Sequence, residues 1–169
     1  MRTIIPLYGI IVSVKIKNLF LPLIALSAQA LAGTVAKAPL IPDREWKMIR
    51  QIAVNYDLDD DATWLLAAIR RHENGRPGLE FGVGGPMNSG HKAHRYHDGT
   101  KSFYVQGYWA AGTVRRHYTG DISAFGRRYN PANAAKWSVS VASLVRRLKS
   151  ENGGRLPGER PAKRTISLP

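Results

Sequence analysis

The chain has 169 residues, enough for one domain with appendages, and 25 Lys and Arg against 12 Asp and Glu give it a net charge of +13. It has no cysteine, which excludes disulfides, thiolate-bound zinc and a cysteine nucleophile. A pI near 10.4 implies a polyanionic partner: nucleic acid, anionic membrane or an acidic cell-wall polymer.

At the N-terminus, Lys15 and Lys17 precede the apolar run Leu19-Phe-Leu-Pro-Leu-Ile-Ala-Leu26 and the small-residue stretch Ser27-Ala-Gln-Ala-Leu-Ala-Gly33. A basic region, a short apolar core and an A-x-A-type site predict a signal peptide over residues 1–32, cut after Ala32. The apolar core is short for a transmembrane helix, although a second apolar run from Ile4 to Val14 offers a route to an uncleaved anchor. The segment is expected to engage the membrane and export machinery and to send the protein to the periplasm or beyond.

Residues 33–42, with Pro39 and Pro42, read as a linker. A helix is predicted from Asp43 as N-cap, with Trp46, Ile49, Ile52, Ala53 and Tyr56 at helical spacing. Asp57 to Asp61 reads as a turn whose last carboxylates suit the start of a second helix. That helix carries Leu65, Leu66, Ala68 and Ile69 and stops at Glu73, where Asn74-Gly75 and Pro77-Gly78 are turn signals. Residues 74–101 are irregular and rich in Gly and His, with Leu79 to Val83 as a short strand. A third helix is expected from Ser102 to Tyr118, a short one from Ile122 to Tyr129, and a last one from Ala132 to Lys149 around Trp137, Val141, Leu144, Val145 and Leu148. The tail, residues 150–169, is expected to be disordered. The fold class is therefore mainly α, with an irregular cleft loop and at most a small β element.

Glu73 is the candidate that chemistry singles out. It ends a rigid apolar helix and faces the loop that follows, which is where a general acid is wanted: held firmly, partly desolvated and open on one side. Negative charge is disfavoured at a helix C-terminus, so a purely solvating role brings no benefit there.

Three stretches carry a family resemblance: Ala68-Ile-Arg-Arg-His-Glu-Asn-Gly-Arg-Pro-Gly-Leu-Glu-Phe-Gly-Val83, Ser102-Phe-Tyr-Val-Gln-Gly-Tyr-Trp-Ala-Ala111, and Phe125-Gly-Arg-Arg-Tyr-Asn-Pro131 followed by Trp137 and Val141. Over residues 43–149 the chain resembles the lysozyme-like superfamily, nearest to lytic-transglycosylase-like domains of bacteria and phages. The resemblance implies a lysozyme-like helical domain that cleaves peptidoglycan, with Glu73 as catalytic acid. It makes Tyr129 the cleft tyrosine and Gln106 a glutamine beside the cleft. Asn74 stands where many soluble transglycosylases carry Ser, and their Gly-Leu-Met-Gln stretch is missing. Asn74 and Glu80 join the expected substrate-binding set.

A protonated carboxyl acting on a glycosidic oxygen needs a raised pKa, as lysozyme illustrates. Trp64, Leu66 or Tyr129 are the expected apolar walls, while Arg70, Arg71 and Arg76 favour the carboxylate. A two-carboxylate glycosidase needs a partner, with Glu80, Asp98 and Asp121 as choices. For Glu80, a surface salt bridge with the arginines is the competing expectation. Without a partner, the substrate's acetamido group or 6-hydroxyl completes the reaction, the transglycosylase route. His91, His94 and His97 stand three apart beside Asp98, but in a Gly-flanked polar loop this matches no standard metal motif, so neither metal nor cofactor is expected.

The leading expectation is an exported monomeric enzyme whose partner is the β-1,4 glycan strand of peptidoglycan. The alternatives are an inactive peptidoglycan-binding module of the same fold and a basic nucleic-acid-binding protein. The export signal and the absence of a recognised DNA-binding motif weigh against nucleic acid.

Overall fold

The structure is a computed structural model and describes residues 38–75, 77–83 and 99–164. The proposed signal segment, Arg76, Asp98 and the His91, His94 and His97 loop lie outside the described residues.

Among the described residues five α-helices make the domain: α1 (Asp43–Asn55), α2 (Asp60–Glu73), α3 (Gly99–His117), α4 (Ile122–Tyr129) and α5 (Ala134–Glu151), with a 3-10 turn at Pro131–Asn133 between the last two. No strand occurs among the described residues. The expected strand at residues 79–83 is a single turn at 80–81 flanked by irregular backbone. Among the described residues it has no neighbouring strand to pair with, and side chains take up its backbone groups instead.

The helix ends follow local chemistry. Pro42, not Asp43, occupies the N-cap of α1, and Asp43 falls in the first turn, where its charge still complements the helix dipole. At the other end Leu58 N–H donates to the Ala53 carbonyl (2.9 Å) and Asp57 N–H to that of Val54 (3.2 Å). This is a Schellman closure with Asp57 in the left-handed region, φ 51°. The Asp59 side chain caps α2 by accepting from Ala62 N–H at 2.8 Å. Asn74, left-handed at φ 43°, ends it.

The middle of α2 is the axis of the core. Leu65, Leu66, Ala67, Ala68 and Ile69 are fully buried, surrounded by Ile49 and Ile52 of α1, Ala110 and Val114 of α3, and Trp137, Val141 and Leu148 of α5. Burial of such side chains contributes roughly 1.5–3 kcal/mol each, which dominates the stability of a domain this size. Helices α4 and α5 approach closely at Gly126, where a Cβ would stand 2.1 Å from Ser138 Oγ.

Two segments expected to be loose belong to the domain. At the end of the linker Ile41 is buried, and Leu40 N–H donates to the Glu151 carboxylate at 3.2 Å. The expected disordered tail instead leaves α5 through Gly153 and Gly154 and runs back along α1 as far as Arg164. Its contacts are Gln51 Nε2 to the Ala162 carbonyl (3.0 Å), Lys163 Nζ to Asp57 (2.9 Å) and Arg164 N–H to Asn55 Oδ1 (3.0 Å). Leu156 packs against the core. Composition suggested disorder, but the polar side chains of α1 supply the tail's backbone with partners.

Candidate active site

Glu73 is half-buried at the last position of α2. Its Oε1 accepts from the indole Nε1 of Trp137, on α5, at 3.0 Å. The buried Trp137 ring stacks on Tyr129, with centroids 5.2 Å apart, and Phe125 lies behind both. A buried indole needs an acceptor for its N–H, and Glu73 supplies it. His72 is a packing neighbour: its ring meets Trp137 edge-on at 5.9 Å, and Nδ1 lies 2.9 Å from Ser140 Oγ.

The chain then doubles back over the carboxylate. A Cβ on Gly75 would lie 1.7 Å from the Leu79 carbonyl oxygen, so only glycine fits that reversal. Gly82 N–H donates to the Leu79 carbonyl at 3.0 Å, closing the turn. Gly82 adopts φ +68°, and a Cβ there would come within 2.4 Å of Glu73 Oε2. The backbone at Gly82 therefore covers one oxygen of Glu73 while Trp137 holds the other.

Three side chains fix this covering turn. Gln106, fully buried on α3, accepts at Oε1 from Val83 N–H (3.1 Å) and Phe81 N–H (3.4 Å), and its Nε2 donates to the Val83 carbonyl. Tyr129 Oη donates to the Phe81 carbonyl at 2.8 Å. Glu80 accepts from Gly78 N–H at 3.0 Å and from Ser102 Oγ. Ser102 and Gln106 are four apart on α3 and so share one face of it. Phe81 is buried edge-on against Phe103.

The expected surface salt bridge of Glu80 is thus corrected. This carboxylate is 3% exposed and tied into the turn by neutral donors. Asp121 serves instead as the N-cap of α4, accepting from Ser123 and Ala124 N–H groups. Neither is a free second carboxylate. Asn74 is exposed and contributes the left-handed turn after Glu73. Of the expected walls, Tyr129 is in place, but Trp64 packs edge-on against Trp46 and Leu66 sits in the general core. Arg70 pairs with Glu45 at 2.8 Å and lies over the Phe103 ring.

Burial pushes the Tyr129 phenol well above its ordinary value, and the Glu73 charge adds to the shift. Tyr129 is therefore a neutral donor throughout the physiological range. A hollow of about 320 Å³ lies at the other end of α2, beside Asp57, Asp59, Asp61 and Tyr118, and takes no part in this arrangement.

Glu73, Tyr129, Gln106 and Glu80 thus converge on one turn, with Tyr129, Gln106 and Glu80 fixing the backbone that covers Glu73. Trp137, Gly82 and Ser102 were not singled out as site residues from the sequence. The signal available for Trp137 was its position within the resembling segment, and for Gly82 its place in a Phe-Gly-Val stretch. No protein-family model, curated protein or solved structure matches this chain.

Proposed function

We propose that this protein is an exported enzyme that cleaves the β-1,4 glycan strands of peptidoglycan, with Glu73 as its general acid. The reading is supported chiefly by one observation: a carboxyl at the end of a buried helix, with one oxygen bonded to a buried indole and the other under a glycine backbone. A side chain restrained in this way meets the positional demand of proton transfer. The resemblance of the surrounding segments to lytic-transglycosylase-like domains points to the same chemistry.

Lytic transglycosylation is favoured over hydrolysis by two of the three candidate second carboxylates: Glu80 is held by Gly78 N–H and Ser102 Oγ and Asp121 caps α4, while Asp98 lies outside the described residues. In the first step the Glu73 carboxyl gives its proton to the leaving glycosidic oxygen as the C1–O bond breaks. The resulting carboxylate then takes the proton of the sugar's own 6-hydroxyl as that oxygen closes on C1. The product is a 1,6-anhydro sugar, and Glu73 ends protonated as it began.

The test is digestion of purified peptidoglycan by the full-length protein and by Glu73→Gln, read by mass spectrometry. Glutamine keeps an oxygen for Trp137 but has no proton to give as an acid, so the fold should survive and the activity should not. Anhydro-muropeptides from wild type alone are expected. Reducing-end products would make the enzyme a hydrolase. Peptidoglycan binding without products from either protein would favour the binding-module alternative.

A further inference from the structure

Away from Glu73, Tyr56 at the end of α1 and Tyr104 and Tyr108 on α3 form a three-ring group. Tyr108 lies between the others, 5.3 Å from Tyr56 and 6.1 Å from Tyr104, stacked on the latter at 26°. Tyr108 Oη is spent on Asn55, which donates to it at 2.7 Å. The hydroxyls of Tyr56 and Tyr104 have no hydrogen-bond partner among the described residues.

Cations flank both outer rings. A Cβ at Gly112 would stand 3.2 Å from the Tyr56 ring and 4.0 Å from Arg116 Nη1, so both side chains lie over this notch in α3. On the other side the returning tail is pinned by Arg164 N–H to Asn55 Oδ1 at 3.0 Å. Burial pushes the Tyr104 phenol up, and the nearby Arg164 charge opposes it. The four basic residues of this region divide into two kinds. Arg115 and Lys163 are both neutralised on Asp57, each at 2.9 Å. Arg116 and Arg164 are exposed and make no ion pair among the described residues.

We propose that Tyr56, Tyr104, Arg116 and Arg164 form a binding face for an anionic glycopolymer, assembled only when the C-terminal segment folds back onto α1. Guanidinium groups and phenol hydroxyls together suit the phosphate, sulfate or carboxylate groups of such a chain. Binding of single-stranded nucleic acid relies on free ring faces for base stacking, whereas the central ring here, Tyr108, is buried and packed against both neighbours. This assignment is independent of the chemistry at Glu73.

The test uses the full chain and heparin fragments as the probe, with affinity measured at fixed salt. Arg116→Gln with Arg164→Gln is compared with Arg127→Gln and Arg128→Gln, an exposed pair on α4 that removes the same charge. Loss of two charge-assisted contacts should weaken binding by about tenfold or more in the first variant. The second should stay within about twofold, because it loses only diffuse attraction. Tyr56→Phe with Tyr104→Phe should also weaken binding, although the charge is unchanged. Equal losses in the two arginine variants would overturn the proposal, reducing the face to general basicity. Tighter binding of a DNA duplex of matched charge would overturn the glycopolymer assignment.

Discussion

Trp137 and Glu73, 64 positions apart, meet through an indole N–H that points at a carboxylate oxygen across 3.0 Å. The bond joins the end of α2 to the first turn of α5 and fixes where the carboxyl can point. Trp137→Phe keeps an aromatic ring against Tyr129 and Phe125 but removes the donor. Stability should fall by about 1–3 kcal/mol, because the Glu73 carboxyl oxygen is left without its donor. Turnover should fall on the order of ten- to a hundredfold through misplacement of the acid, with little change in KM. Unchanged turnover on peptidoglycan would separate Trp137 from the positioning of Glu73.

Gly82 should tolerate no side chain without cost to the site. Alanine there must adopt φ +68° and displace the Glu73 carboxyl from 2.4–2.9 Å. Gly120 is a matched control, since its φ is +94° but a Cβ would meet nothing within 4 Å. Both alanine variants should lose about 1–2 kcal/mol from the left-handed backbone alone. Only Gly82→Ala should lose peptidoglycan cleavage. Equal activities in the two variants would mean that the approach of Gly82 to Glu73 has no functional weight.

Gln106 links α3 to the turn over the acid. Gln106→Leu fills a similar volume but strands two N–H groups and a carbonyl in a buried place. A loss of about 3 kcal/mol is expected, read by denaturant unfolding. Amide exchange at Phe81 and Val83 should accelerate beyond the global change. Protection of both amides at the wild-type level would show that the turn holds without Gln106.

Alkaline pH should unfold the domain through its tyrosines. Burial raises the Tyr129 phenol above 10.0, with the Glu73 charge adding to the shift, and burial also raises Tyr56, Tyr104, Tyr108 and Tyr118. The unfolded chain then gives up phenolic protons that the folded one retains. This contribution is whole below the unfolded pKa near 10 and is lost as pH climbs beyond it, at up to about 1.4 kcal/mol per pH unit for Tyr129. Tyr129→Phe should flatten that limb, while costing about 1 kcal/mol at pH 7 because the Phe81 carbonyl loses its donor. Parallel stability curves for the two proteins between pH 9 and 11 would remove Tyr129 as the source.

The sequence by itself determined the helices and the place of Glu73 among them. Apolar spacing marked the faces of α1, α2, α3 and α5, and Asp59, Asn74 and Asp121 set ends through bonds within a few residues of themselves. Such signals are local and open to a linear reading, although Asp121 reads first as a candidate second carboxylate rather than as a cap. Partner choice across the fold was not legible in this way. Glu80 in a basic chain suggests a surface ion pair, but the packing of Phe81 beneath the turn draws it inside to Ser102, 22 positions away. The tail's composition suggests disorder, yet Gln51, Asn55 and Asp57 on α1 give it bonds that span 106 to 111 positions. Trp137 reads simply as a core residue until α2 and α5 pack and bring its N–H to Glu73. These outcomes belong to the tertiary structure because a buried polar group is stable only beside a partner, and which partner arrives is decided by how the helices pack.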